Sequence, residues 1–406
     1  MTRTAVDPSA SFSEREVAPR SYAVELSVVM PCLNEAETLG TCIRKAQRAM
    51  AEHGIDGEII VADNGSIDGS QELAAGLGAR VVSVPGKGYG NALMGGIATA
   101  QGRYVIMGDA DDSYDFSEIP RFLEGLRDGH DLVQGCRLPS GGGRIMTGAM
   151  PFLHRWWGNP MFSFLVRQWF RAPIHDVYCG LRGFSRESYE RLGLQCTGME
   201  FGVEMVIKSS LFQERIAEIP ITLHPDGRKT RAPHLRTFRD GWRTLRFFLM
   251  YSPRWLFLVP GLVLILLGAV GYALALPGAT FRGVTLDVHT LLFSSLFLLL
   301  GYQSVQFSVL TKTFAIAESL LPPDPRLERF YQVATLERGL LLAAVAILGG
   351  VVLLGIAVRQ WQLAGFGDLD YARTMRVVIP GVTLAALGFQ TVLSGFFLSI
   401  LGIPRR

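Results

Sequence analysis

Hydrophobic and polar positions follow two different regimes along the 406-residue chain. Over 25–234, short apolar runs alternate with helical patterns. Runs at 26–30, closed by Pro31, at 58–62, closed by Asp63, and at 80–84 and 103–107 predict strands. Stretches around 35–52, 68–77 and 89–100 between them predict helices. This alternation points to an α/β domain with a mostly parallel, doubly wound sheet. From Trp255 onward the pattern changes. Four windows, 255–277, 288–311, 339–358 and 377–402, contain no Asp, Glu, Lys or Arg, and each has at least 20 residues. About 20 apolar residues span the hydrocarbon core as a helix, so a membrane domain of four transmembrane helices is expected. Pro260 and Pro380 fall near the starts of their segments, where a missing N–H costs little.

Between the two regimes, 235–254 carries Leu235, Phe238, Trp242, Leu245 and Leu249 at helical spacing, with Arg236, Arg239, Arg243 and Arg246 between them. That pattern predicts an interfacial amphipathic helix on an anionic leaflet. The expected plan is a flexible tail over 1–24, an α/β domain over 25–234, the interfacial helix over 235–254 and a membrane domain over 255–406. Four spans put both termini on one side. Eight Lys and Arg lie in 228–254, four in 312–338, and Arg405 and Arg406 end the chain; the opposite loops hold Arg282, Arg359, Arg373 and Arg376. The positive-inside rule then predicts a protein integral to the cytoplasmic (inner) membrane, with the α/β domain and both termini cytoplasmic. The first 24 residues contain no apolar stretch of the signal-peptide kind.

Composition sharpens this division. Hydrophobic residues make up 49% of the chain and charged residues 18%, averages that describe neither part. The apolar content excludes a disordered chain. A net charge of +3 gives no reason to expect a nucleic-acid partner. Cys32, Cys42, Cys136, Cys179 and Cys196 have no C-x-x-C spacing and read as reduced residues.

In doubly wound sheets, ligands bind beyond the carboxyl ends of the strands. The polar clusters fall there: Asn34-Glu35, Asp63-Asn64-Gly65-Ser66 and Asp109-Ala110-Asp111-Asp112. Asp109 and Asp111 emerge from an apolar strand and can share one hard divalent cation, since Mg²⁺ is typically held by one or two carboxylates plus substrate phosphates.

The ordered set PCLNEAETL, VADNGSIDGS, the loop Gly86-Lys87-Gly88-Tyr89-Gly90-Asn91 and MGDADDSYDF resembles the nucleotide-binding half of inverting family 2 glycosyltransferases. The more specific resemblance is to polyprenyl-phosphate glycosyltransferases of the dolichol-phosphate-mannose synthase type. It continues through Gly135-Cys136-Arg137, the run from Asp176 to Arg182, GMEFGVEM at 198–205 and IAEIPITLHPDGRKT, and covers about 25–235. The resemblance implies a GT-A-type, Rossmann-like catalytic domain. Pro31, Asn34 and Glu35 would border the nucleotide, Asp63 would contact its base or ribose, and Lys87 would lie near the diphosphate. Asp109 and Asp111 would bind Mg²⁺ or Mn²⁺, with Asp109 also on the nucleotide-sugar side. Arg137 and Arg182 would meet the acceptor phosphate, Glu200 and Glu204 would lie near the sugar, and Arg228 and Lys229 would belong to a basic loop closing over the site. The sequence departs from the family where Asp112 and Ser113 follow Asp111 in place of Leu-Gln, where Asp63-Asn64 replaces an Asp pair, and at Cys179-Gly180-Leu181-Arg182.

The implied reaction is transfer of a sugar from a UDP- or GDP-linked donor to a polyprenyl phosphate, with inversion. A phosphate monoester has a second pKa near ~6 and is mostly ionised at pH 7, so positioning matters more than proton removal. Asp112 is nevertheless available as a base. The alternatives are transfer to a lipid hydroxyl, a processive polysaccharide synthase, and an inactive or transport protein. Processive enzymes usually carry Q-x-x-R-W, which this sequence lacks. The spans lack ionisable residues of the kind transport pathways use, apart from His289 near an end. His154, His175 and His224 read as ordinary polar residues or as acceptor or metal contacts. The aromatic stretch Trp156, Trp157, Phe162, Phe164 and Trp169 reads as core packing or as a membrane contact guiding a lipid tail. Monomer and homo-oligomer both stay open.

Overall fold

The computed structural model describes residues 21–228, 237–281, 283–318 and 320–402. The chain divides into two compact units, Met1–Gly241 and Trp242–Arg406.

The first unit is built from β1 (Val24–Cys32), α1 (Leu39–Glu52), β2 (Gly57–Asp63), α2 (Ser70–Gly76), β3 (Arg80–Ser83), α3 (Tyr89–Thr99), β4 (Gly102–Met107), α4 (Ile119–Arg127), β5 (Leu132–Cys136), β6 (Arg144–Ile145), α5 (Asn159–Phe170), β7 (Arg182–Ser185), α6 (Arg186–Leu192), α7 (Phe201–Leu211), β8 (Ile216–Pro220) and β9 (Thr222–Leu223). Seven strands form one sheet in the order β3-β2-β1-β4-β7-β5-β8. Every neighbouring pair is parallel except those made by β7, which runs antiparallel to β4 and to β5. This is the mostly parallel, Rossmann-like sheet expected of a GT-A-type domain. Its central strands are covered on both faces, which is why 26–30 is apolar on both faces apart from Ser27. Leu26, Val28 and Met30 pack with Leu39 and Ile43 of α1 and with Phe122 and Leu123 of α4.

Chain order reverses at β1, which lies between β2 and β4. The carboxyl ends beside that reversal are brought level by register: Cys32 pairs with Asp63, Val29 with Met107, and Met107 with Arg182 at the start of β7. Helix α1 starts at Leu39 instead of near Glu35, because Asn34 takes a left-handed conformation (φ 59°) that interrupts the path from β1. Asn is among the few side chains that tolerate this region.

Helix α8 (Thr237–Tyr251) runs across the boundary between the units and ends before Ser252-Pro253; Leu235 and Arg236 lie outside the described residues. It buries Phe247 and Phe248 and exposes Trp242, as an amphipathic helix should.

The second unit contains a π-helical turn, Arg254–Leu258, running into α9 (Val259–Ala275), a small hairpin of β10 (Thr280–Phe281) and β11 (Val284–Thr285), and then α10 (Val288–Ala317), α11 (Pro325–Val333), α12 (Leu336–Leu363) and α13 (Tyr371–Leu401). Four helices, Arg254–Ala275, Val288–Ala317, Leu336–Leu363 and Tyr371–Leu401, are long and apolar enough to cross a membrane. They outrun the charge-free windows because Lys312, Glu337, Arg338, Arg359, Arg373 and Arg376 sit in their end turns. The expectation for Pro380 is corrected. Asp370 caps α13 through the Arg373 N–H and starts it at Tyr371, so Pro380 lies inside the helix. Pro260 does sit in the first turn of α9, directly after the π-helical turn. The α12–α13 contact is backbone-close: a Cβ on Gly350 would lie 2.6 Å from the Gly381 carbonyl oxygen. Hydroxyl pairs cross between helices, with Tyr272 donating to Thr383 at 3.0 Å and Tyr302 2.6 Å from Thr391.

Candidate functional site

The site begins where β4 ends. Asp109 follows Met107-Gly108, and its Oδ1 accepts a hydrogen bond from the Tyr89 hydroxyl at 2.8 Å. Among the described residues its Oδ2 takes no hydrogen bond, although Gly180 packs so near that a Cβ there would lie 2.7 Å from that oxygen. Burial, and next the charge of Asp111, push the Asp109 carboxyl up to about 6. Asp111 Oδ1 accepts from the Ser113 N–H (3.1 Å) and hydroxyl (2.6 Å), and its Oδ2 accepts from Arg228 (2.9 Å). Asp112, in left-handed backbone (φ 60°), turns to α1, where Lys45 Nζ meets it at 2.8 Å. Ser113, which stands where the resembled family has Gln, donates its hydroxyl to Asp111.

The β1 and β2 ends form a second wall. Pro31 lies in β1, opposite Ala62. Asp63 is fully buried, and its Oδ2 accepts from the Gly65 N–H (2.9 Å), the Ser66 N–H (3.1 Å) and Gln71 Nε2 (2.6 Å). Its carboxylate therefore organises the turn after β2. Asn34 ties the same turn to β1: its N–H donates to Ser66 Oγ and its Oδ1 accepts from the Ile67 N–H, both at 2.7 Å. The Glu35 N–H donates to Ser70 Oγ (2.9 Å). Lys87 Nζ donates to the Asn64 carbonyl (2.9 Å), which fixes the glycine-rich loop against this turn. The loop needs its glycines, since a Cβ on Gly90 would lie 2.2 Å from the Cys196 carbonyl oxygen.

On the other side the arginines are committed to internal partners. Arg137 is buried and grips Asp176 with two nitrogens, at 2.7 and 2.9 Å, while its third meets the Tyr114 hydroxyl at 3.2 Å. That hydroxyl also accepts from the Gly180 N–H (2.8 Å). Arg182 is buried too. Its two terminal nitrogens donate to the Gly202 and Cys179 carbonyls, and its Nε has no hydrogen-bond partner among the described residues. Burial lowers its pKa from the usual arginine value. Both arginines sit at the shared strand edge, and each guanidinium nitrogen of Arg137 already donates to an internal partner.

Glu200 lies at the start of α7. Glu204, fully buried, accepts from the Gln195 N–H (2.9 Å) and Cys196 N–H (2.8 Å) and pairs with Lys208 (3.0 Å); it is a structural anchor for the 195–196 loop. Arg228 reaches three carboxylates: Glu35 (3.0 Å), Asp111 (2.9 Å) and Asp226 (2.7 Å). Lys229 lies outside the described residues. The structure therefore brings together Asp109, Asp111, Glu35 and Arg228, and beside them Asn34, Asp63 and Lys87. Tyr89, Tyr114, Asp176 and Asp226 were not singled out from the sequence. All four stand inside motifs already quoted; the partners of Tyr89, Tyr114 and Asp176 are distant in the chain, while Asp226 pairs with Arg228 two residues on.

No group of three or more His, Cys, Asp or Glu among the described residues could hold a metal ion by itself. The donor set nonetheless fits one that also uses substrate oxygens: among the described residues Asp109 keeps an oxygen without a hydrogen bond, and its carboxyl is raised first by burial and then by the Asp111 charge, both of which a divalent cation would offset. His175 is held by Glu218 at 2.8 Å. The thiols of Cys42, Cys136, Cys179 and Cys196 are pushed up to about 12 by burial, so they remain protonated. The aromatic stretch divides: Phe162 is buried, while Trp156, Trp157 and Phe164 are exposed.

Comparison with known proteins adds the following. A "Glycosyl transferase family 2" model matches residues 27–193, and a "Glycosyltransferase family 2 C-terminal transmembrane region" model matches 309–402. The low-salt glycan biosynthesis hexosyltransferase Agl6 of Haloferax volcanii is 36% identical over 386 residues, 95% of this chain and 91% of that protein. A dolichyl-phosphate hexose transferase of the same organism is 32% identical over 199 residues, 48% of this chain and 82% of that protein. A crystal structure of glucosyl-3-phosphoglycerate synthase from Mycobacterium tuberculosis covers 56% of this chain and 78% of its own at 23% identity, with a TM-score of 0.42.

Proposed function

The chain belongs to glycosyltransferase family 2, and on that premise we propose that it moves a sugar from a UDP- or GDP-linked donor to a polyprenyl phosphate, with inversion at C1. The observation that carries this reading is the carboxylate pair Asp109 and Asp111 at the carboxyl end of β4, beside the reversal of strand order. The acceptor class is suggested by the dolichyl-phosphate hexose transferase among the relatives and by four helices able to cross a membrane. The distribution of Lys and Arg supports a catalytic domain on the cytoplasmic face.

In this proposal Asp109 and Asp111 hold Mg²⁺ or Mn²⁺, which would supply positive charge to the nucleoside diphosphate leaving group. Pro31, Asn34, Glu35 and the turn organised by Asp63 border the nucleotide, and Lys87 offers a cation from the glycine-rich loop. Glu200 lies on the sugar side. A phosphate oxygen of the acceptor attacks C1 as the bond from C1 to the diphosphate oxygen breaks, and no proton has to be removed from an ionised phosphate. Arg137 and Arg182 act as positioning residues: Arg137 braces Asp176 and Tyr114, and Arg182 braces the carbonyls of Cys179 and Gly202. Arg228 and Lys229 are the basic residues assigned to the incoming phosphate.

One observation favours a second reading, transfer to a lipid hydroxyl: Arg137 and Arg182 are both engaged internally. Against it, a hydroxyl needs a strong general base, and Asp112 is paired with Lys45. Purified full-length protein with Mg²⁺ or Mn²⁺, a panel of UDP- and GDP-sugars and either a polyprenyl phosphate or a diacylglycerol decides between them. The expected product is a phosphate-linked lipid sugar. Turnover with diacylglycerol and none with any polyprenyl phosphate would reverse the assignment.

A further inference from the structure

The guanidinium of Arg228 is set among three carboxylates from three separate segments: Glu35 after β1, Asp111 after β4, and Asp226 of its own strap. The strap is also fastened through its backbone, because the His224 N–H donates to the Ser113 carbonyl and the Gly227 N–H to the Asp111 carbonyl, both at 3.0 Å. Apart from the Asp226 pair, each of these contacts lands on the 111–113 turn or on Glu35. Asp111 Oδ2 is thus taken by Arg228, while Asp111 Oδ1 is taken by Ser113. A cation shared by Asp109 and Asp111 needs an Asp111 oxygen, and the one held by Arg228 is held from another segment of chain.

We infer that Arg228 is the exchangeable cation of the donor site: it neutralises Asp111 and Glu35 until a divalent metal arrives, and the metal then displaces it from Asp111 and releases the strap 224–228. The inference rests on the proposed metal role of Asp109 and Asp111. The electrostatic argument is direct. Three carboxylates share one guanidinium, so the cluster keeps an excess of negative charge that a divalent ion satisfies better than a monovalent one. A divalent ion and a guanidinium drawn to the same carboxylate repel each other, so strap closure and metal binding are linked equilibria with a reciprocal coupling. In this scheme the strap closes the site when it lacks metal, and Arg228 is freed toward an incoming phosphate when metal is present.

The test uses full-length protein in detergent micelles without donor sugar. Mn²⁺ is titrated alone and with UDP or GDP, binding is read by electron paramagnetic resonance, and amide hydrogen exchange is followed at 224–228. In the wild type, Mn²⁺ should speed exchange at the His224 and Gly227 amides. Arg228→Gln should exchange fast there from the start and bind Mn²⁺ roughly 5- to 150-fold more tightly, the usual range of a coupling between sites. Arg228→Lys keeps the charge but not the fork that spans Glu35 and Asp111, and should fall between the two. Unchanged exchange on Mn²⁺ binding, or equal affinities in the wild type and Arg228→Gln, overturns the inference and leaves the metal assignment standing. Absence of Mn²⁺ binding in every protein, with and without nucleotide, overturns both. Exchange elsewhere in the domain reports whether each variant is folded.

Discussion

Asp176 accepts both arms of the Arg137 guanidinium, at 2.7 and 2.9 Å, in a site from which water is almost excluded. Removing one partner of such a pair strands a buried charge, which typically costs about 3–5 kcal/mol. Arg137→Ala and Asp176→Asn should each lower the unfolding midpoint of the α/β domain, by roughly 2–4 °C per kcal/mol in a domain of this size. A paired apolar replacement, Arg137→Met with Asp176→Leu, should recover much of the loss. The measurement is thermal unfolding of the purified protein. If Arg137→Ala left the midpoint alone and only raised the requirement for lipid phosphate, Arg137 would be an acceptor ligand and not a brace.

Asp109→Asn and Asp111→Asn should each reduce sugar transfer by at least about 100-fold, the scale on which removing one preorganised electrostatic group acts. Both variants should also weaken Mn²⁺ binding. Initial rates and metal titrations on the same preparations check this. Near-wild-type rates in both variants would remove the pair from the metal site.

Asp109 also sets a pH dependence of stability. Its carboxyl titrates near 6 in the folded protein because of burial and the neighbouring Asp111 charge, against about 4 in an unfolded chain. The folded state therefore binds this proton more readily than the unfolded one. Ionisation costs stability above about 6, and that cost fades as pH falls from 6 toward 4. Without metal, Asp109→Asn should be more stable than wild type at pH 7.5, and the difference should close by about pH 4. The amide keeps an oxygen for the Tyr89 hydroxyl. Unfolding midpoints taken across this range in a chelator would expose the opposite sign.

Much of this was legible in the chain. The four apolar windows became four long helices, and 26–30, 58–62, 80–84 and 103–107 each fell inside or against a strand. Asp109 and Asp111 were readable because charge directly after an apolar strand must lie at the sheet edge. Helix α1 was misplaced at its start, because periodicity does not register the left-handed turn at Asn34. Pro380 was misread because charge-free windows omit the end turns that hold Arg373 and Arg376. The brace between Arg137 and Asp176 joins positions 39 apart, and that of Arg228 on Asp111 joins positions 117 apart. No local pattern encodes such pairs: the same arginines read equally well as ligand contacts until tertiary packing assigns their partners.

Asp112 offers the last discriminating case. It stands beside the metal pair in sequence, and a hydroxyl acceptor would want a base there. Its carboxylate instead meets Lys45 of α1 at 2.8 Å, which turns it toward α1 and gives it a partner of its own. A phosphate acceptor with a second pKa near ~6 brings its own negative oxygen. Asp112→Asn should therefore keep transfer to polyprenyl phosphate within about tenfold of wild type, against the 10²- to 10⁴-fold that loss of a general base typically costs. The substitution is gentle on the backbone, because Asn accepts the left-handed conformation Asp112 adopts (φ 60°). Lys45→Ala serves as the companion variant: it removes the side chain that holds the carboxylate and should likewise keep transfer within about tenfold of wild type. Rates for both variants between pH 6 and 8 answer the question. A loss of 100-fold or more in Asp112→Asn, with activity kept in Lys45→Ala, would establish base catalysis and move the acceptor toward a hydroxyl.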